Sequence, residues 1–245
     1  MAVTLSSSSA NTRMSRNDSN WFLPQFAPAE PLESHWPAPV PLIMSGRFHD
    51  SLKEMKVDMK FVVHSTKTTP EASREDLKAA ERVFGFLPNL LGVLAEAPIA
   101  LRAYMDLTDL LEKASLSPVE QQVMMLAGSH ENGCEYCMAA HSTVAGMVGM
   151  SKDVLKALRS GNTLPKTKLE ALRSFVVDVV RSRGRVSDHR IEEFLKAGYS
   201  RQNVLEVVFG VAMKTLSNYA NHIAKTPVDT QFLSQAWETT HSSSA

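Results

Sequence analysis

Cys134 and Cys137 are the only cysteines in a chain of 245 residues, and they stand three apart in His130-Glu131-Asn132-Gly133-Cys134-Glu135-Tyr136-Cys137-Met138-Ala139-Ala140-His141. On an α-helix Cys134, Cys137, Met138 and His141 share one face, at i, i+3, i+4 and i+7. Two thiols and an imidazole then line one stripe. Sulfurs one helical turn apart can close a disulfide, and the free N–H groups of a helix start stabilise a thiolate. A thiolate attacks a peroxide oxygen or a disulfide sulfur, and a nearby His or Glu can move the protons. Three readings fit the spacing. The first is a redox pair. The second is two small buried apolar groups with no chemistry. The third is half of a zinc site, completed by His130, His141 or another subunit, since the chain has no second Cys-x-x-Cys.

The elements that must position this stripe are helical. Thr69-Pro70-Glu71 opens an amphipathic stretch that ends near Gly85; Pro88 opens a short helix and Pro98 a longer one, to about Lys113. Ser117-Pro118-Val119-Glu120 is a capping box with proline at the first helical position. The run Val123-Met124-Met125-Leu126-Ala127 behind it is apolar on nearly every side and predicts a buried helix. Asn132-Gly133 breaks it, and the next helix starts near Cys134 and runs to about Gly146. Further helices follow from Ser151 to Gly161, Pro165 to Arg183 and Ser187 to Gly198, and a long, mostly apolar one starts at Ser200. Nothing between Glu71 and Ile223 alternates with period two, so the class is all-α. A shift of 83 residues lays Ser117 on Ser200 and Tyr136 on Tyr219, which fits two degenerate helical repeats or chance between two buried helices.

Residues 1–56 read differently. They are rich in Ser, and residues 21–45 hold six of the 12 prolines, a density that breaks helix and sheet alike. This gives an irregular extension (1–56), a helical domain (57–240) and a short tail (241–245). Trp21, Phe22, Phe26 and Trp36 could lie on the domain or on a partner subunit. Arg13 and Arg16 among serines, with no acid before Asp18, leave a transit segment open, and a downstream start at Met55 or Met59 is the third alternative. Lys+Arg and Asp+Glu balance at 26 each, which argues against nucleic acid or an anionic membrane as the main partner. No run of about 18 apolar residues is present to span a bilayer. A soluble, cytoplasmic protein is expected, with organellar targeting left open.

Residues 132–141, Asn-Gly-Cys-Glu-Tyr-Cys-Met-Ala-Ala-His, resemble the Cys-x-x-Cys-x-x-x-His signature of the AhpD-like alkylhydroperoxidases in the carboxymuconolactone decarboxylase superfamily. The resemblance covers roughly residues 60–235. It takes in Phe84-Gly85-Phe86-Leu87-Pro88-Asn89-Leu90, Leu116-Ser117-Pro118, Thr215-Leu216-Ser217-Asn218-Tyr219 and Asn221-His222. It implies an AhpD-like helical bundle that forms homo-oligomers. It also implies a peroxidase with no metal or organic cofactor, which reduces a small hydroperoxide and is recycled by an external dithiol. Carried over, Cys137 is the peroxidatic thiolate, Cys134 the resolving one, and His141 part of the proton relay. The family's glutamate twelve residues before the first cysteine is here Gln122, which cannot move a proton as a carboxylate does. Glu120 should point elsewhere, so Glu131 is the candidate replacement acid/base; its alternative is a surface acid at a helix end.

Other residues carry less. His130 has no clear role, and Tyr136 either lines a pocket or packs. Asn218, Tyr219, Asn221 and His222 either face the cysteines or form a solvated helix end, the latter slightly preferred. Two rival functions stand beside the peroxidase. One is a lactone decarboxylase that does not need the thiols; the other is a non-enzymatic redox-sensing oligomer. Two helices apolar on most faces also point to self-association.

Overall fold

The computed structural model describes residues 60–239 of the chain; the expectations for the extension 1–56 and the tail 241–245 lie outside the described residues. Among the described residues every regular element is a helix: α1 (Arg74–Phe84), α2 (Asn89–Leu94), α3 (Pro98–Leu111), α4 (Pro118–Glu131), α5 (Glu135–Met147), α6 (Lys152–Arg159), α7 (Thr167–Ser182), α8 (Asp188–Lys196) and α9 (Arg201–Ala224), with short 3-10 turns at Glu71–Ser73 and Thr230–Gln235. No helix there is long and apolar enough to cross a membrane.

The helix starts follow from capping chemistry. At α4 the Ser117 side chain accepts from the Glu120 N–H while the Glu120 carboxylate accepts from the Ser117 N–H. Ser200 and Asn203 make the same reciprocal pair at α9. Such a pair satisfies two backbone donors that a helix start otherwise leaves open. Glu120 also pairs with Lys168, so it does point away from the cysteines.

Helix α4 is the centre of the bundle and packs against α5, α6, α7 and α9. Its residues Val123, Met124, Met125 and Leu126 are fully buried, as an all-round apolar helix requires. The α4–α9 crossing is close because Gly210 has no side chain: a Cβ there would sit 2.5 Å from the Met124 sulfur.

Helix α9 differs from the sequence expectation. Leu205, Val208, Tyr219 and Ile223 are exposed, while Lys214, Ser217, Asn218 and Asn221 are buried. A polar stripe is turned inward and part of the apolar surface outward. The last segment, with its 3-10 turn at Thr230–Gln235, lies along α5. Its anchor is Asp229, which accepts the Asn89 N–H at the start of α2 (3.0 and 3.2 Å) and the Tyr136 hydroxyl (2.5 Å).

Candidate active site

Gly133, at φ +66°, turns the chain between α4 and α5, a left-handed conformation that glycine adopts at no steric cost. The turn makes Cys134 the N-cap of α5 and places Cys137 in its first turn. Both thiols are free and buried, at 1% and 2% exposure, in an apolar cluster with Leu90, Leu94, Leu101 and Tyr136. Tyr136 is therefore a packing residue whose hydroxyl is tied down, by the Asp229 bond and by accepting the Leu90 N–H at 3.2 Å.

The polar stripe of α9 meets the sulfurs. Asn221 Nδ2 donates to Cys137 Sγ at 3.3 Å and lies 3.8 Å from Cys134 Sγ. Ser217 Oγ is 3.9 Å from Cys137 Sγ. Asn218 accepts from Asn132 Nδ2 at 2.9 Å, tying the turn before Cys134 to α9. Two further atoms in this stripe, Asn218 Nδ2 and Asn221 Oδ1, are buried and close no hydrogen bond. The solvated helix end that was slightly preferred from sequence holds only for Tyr219 and His222, which are exposed. Asn218 and Asn221 belong to the cysteine site.

The two thiols are driven apart in acidity. Cys137 is held well below the ordinary thiol range, first by the Cys134 S–H donating to it, then by the Lys214 charge and by Ser217, against the opposing effect of burial. Cys134 is pushed up, because its proton is held on the Cys137 sulfur and because it is buried beside that negative charge. The arrangement is one thiolate and one thiol, the state in which a pair can attack and then resolve.

His141, two turns along α5 from Cys134, sits between two partners. Its Nδ1 is 3.0 Å from Gln122 Oε1 and its Nε2 is 2.7 Å from Lys214 Nζ. Burial, and then the Lys214 charge, push the imidazole well below its usual range. Glu131 is elsewhere engaged: its two carboxylate oxygens accept from Arg181 at 2.6 and 3.0 Å. His130 packs its ring on Trp237, with centroids 5.5 Å apart. Among the described residues no group of three His, Cys, Asp or Glu side chains is placed to hold a metal ion.

Sequence reasoning missed Lys214 altogether. The signal was present as Gly210, Lys214, Ser217 and Asn221, spaced three and four apart on one side of α9. A lysine inside an otherwise small and polar stripe has no reason to be there unless the stripe faces something charged.

The sequence model of the Carboxymuconolactone decarboxylase family matches residues 98–173, a span that holds both cysteines and His141 and stops short of α9. Solved structures are similar over a larger span. One, described as an alkylhydroperoxidase AhpD core and an uncharacterized peroxidase-related protein from Ralstonia eutropha JMP134, is 20% identical; the match covers 71% of this chain and 93% of that one, with a TM-score of 0.62. An uncharacterized peroxidase-related protein from Silicibacter sp. TM1040 is 14% identical, covering 73% and 96%, with a TM-score of 0.62. A Cys-to-Ala variant of the debrominase Bmp8, in complex with 2,3,4-tribromopyrrole, is 15% identical, covering 74% and 96%, with a TM-score of 0.60. No curated protein matches the chain. The fold is that of the AhpD-like helical proteins. Residues 98–173 carry the sequence pattern of the Carboxymuconolactone decarboxylase family on that fold.

Proposed function

We propose that this protein is a thiol-dependent peroxidase in which Cys137 is the nucleophile, Cys134 resolves, and His141 takes part in moving protons. The observation that carries the proposal is the buried Cys134–Cys137 pair at the start of α5, with the Asn221 amide reaching both sulfurs. The Cys137 thiolate attacks the terminal oxygen of a hydroperoxide. The O–O bond breaks, sulfur is oxidised to the sulfenic acid, and the leaving alkoxide takes a solvent proton relayed by His141. The Cys134 thiol then condenses with the sulfenic acid, releasing water and forming a disulfide. An external dithiol reduces that disulfide and is itself oxidised. The spare donor Asn218 Nδ2 and spare acceptor Asn221 Oδ1 match what an O–O–H group offers. Zero formal charge and apolar walls at the thiols fit a small neutral substrate better than a polyanion.

The test is consumption of tert-butyl hydroperoxide with dithiothreitol supplied. Cys137→Ser should abolish turnover. Cys134→Ser should allow one attack per chain and leave a sulfenic acid that dimedone traps. Full turnover in the Cys137 variant would end the proposal. The family match at residues 98–173 favours one second reading, a lactone decarboxylase; it requires activity that survives removal of both thiols. Self-association belongs to the same proposal, and sedimentation as a monomer would remove it.

A further inference from the structure

Lys214 is 1% exposed, and among the described residues no carboxylate forms an ion pair with it. Its one hydrogen bond given by the geometry is to His141 Nε2. A buried ammonium held only by a neutral imidazole calls for an opposite charge nearby to offset its lost hydration. Among the described residues, the negative charge beside this stripe is the Cys137 thiolate, whose hydrogen-bond partner Ser217 stands one turn along α9 from Lys214.

We propose that Lys214 is the counter-ion of the Cys137 thiolate, and that Gln122 keeps it in that role by fixing the tautomer of His141. The hydrogen bonds run in one direction. An ammonium can only donate, so His141 Nε2 must accept from Lys214 and the ring proton must be on Nδ1. That proton needs an acceptor, and Gln122 Oε1 supplies it at 3.0 Å. A carboxylate at position 122 would instead favour an imidazolium facing Lys214, two cations 2.7 Å apart, or would draw the Lys214 charge to itself. Gln122 is thus the residue that suits Lys214, and the site is organised around a cation rather than a carboxylate. This inference rests on Cys137 as the reactive thiol, but not on peroxide as the substrate.

Lys214 acts through Cys137 and is a positioning residue, so its test reads the thiol and not turnover. The titratable groups facing Cys137 are Cys134, Tyr136 and His141 from α5, Tyr104 from α3 and Lys214 from α9. In full-length Cys134→Ser protein, so that one thiol remains, iodoacetamide alkylation is followed by intact mass from about pH 4 to about pH 10, spanning the ordinary thiol value. We expect Lys214→Met to raise the midpoint by about two pH units and, at about pH 4, below both midpoints, to slow the reaction about 100-fold. Lys214→Arg, which keeps the charge, should stay within about half a unit of the parent. An unmoved midpoint in a folded Lys214→Met protein, or equal shifts in the Met and Arg variants, would overturn the assignment. Should Lys214→Met not fold, Lys214→Gln, which keeps a donor for His141 Nε2 but no charge, gives the reading: a raised midpoint supports the counter-ion role and an unmoved one overturns it. A protein that passes this test yet consumes no hydroperoxide would keep the Lys214 assignment and lose the peroxidase.

Discussion

Asn221 Nδ2 stands 3.3 Å from the sulfur of Cys137, across 84 residues of sequence. This contact, with its longer partner at Cys134, joins α9 to the start of α5 and makes the second half of the chain part of the thiol site. An amide N–H on sulfur favours the thiolate over the thiol, for the same reason that any donor favours an anion. Removing a hydrogen bond to a charged group costs about 1.5–3 kcal/mol. Asn221→Ala should therefore slow Cys137 alkylation at about pH 4, where the thiolate fraction limits the rate, by about tenfold or more. Asn221→Gln, which keeps a donor, should retain part of the rate. Stopped-flow alkylation of the two variants checks this, and an Ala variant as fast as the parent would remove Asn221 from the site.

The cysteine pair was legible because it is local. Cys134, Cys137 and His141 come together through one stretch of helix, and spacing alone sets their face. The starts of α4 and α9 were legible for the same reason, since a capping box spans four residues. Lys214 and Ser217 were not, and Asn221 was legible only as one of two alternatives, because their meaning depends on α5, 73 to 87 residues away. Apolar periodicity treats α9 as a helix that buries its hydrophobic side, yet Leu205 is 69% exposed and Lys214 is 1% exposed. Polar side chains turn inward there because the sulfurs and His141 supply partners. The segment around Asp229 carries no pattern at all: its order comes from Asn89 and Tyr136, 140 and 93 residues away.

That segment leads to a second prediction. Asp229 receives two bonds from the Asn89 N–H and one from Tyr136, and so caps α2 while holding the last turn on α5. Phe232, in that turn, packs edge-on against Tyr136 at 6.2 Å between centroids. Asp229→Ala should leave buried donors unpaired and destabilise the fold by about 2 kcal/mol. It should also loosen the cover over the thiols, so that the bulky Ellman's reagent reacts several-fold faster while small iodoacetamide gains little. Equal acceleration of both reagents would indicate a change in thiol acidity and not in cover.

Glu131 gives a third. Its carboxylate is occupied by Arg181, whose side chain is 68% exposed. Such a pair is usually worth about 0–1 kcal/mol. Glu131→Gln should thus lower stability by less than about 1 kcal/mol and leave peroxide turnover within about twofold. Steady-state assays decide it: a loss of turnover with normal Cys137 alkylation would restore Glu131 as the acid/base.

The fourth concerns pH. Burial, reinforced by Lys214, keeps His141 neutral in the folded protein well below the usual imidazole value. In the unfolded chain the same imidazole takes a proton near pH 6.5. Below that pH the unfolded state binds a proton that the folded state does not, so stability falls as the pH falls. The His141 contribution is therefore present above the unfolded value and is lost on acidification, at up to about 1.4 kcal/mol per pH unit. Cys137 acts in the same direction over an overlapping window, between its depressed folded value and the ordinary thiol value, because there its sulfur is proton-free only when folded. Urea melts of the parent and of His141→Gln between about pH 5 and about pH 7, the imidazole window, separate the two. The variant should show a shallower decline below about pH 6.5, by close to one proton. Parallel declines in both proteins would place the acid sensitivity in groups other than His141.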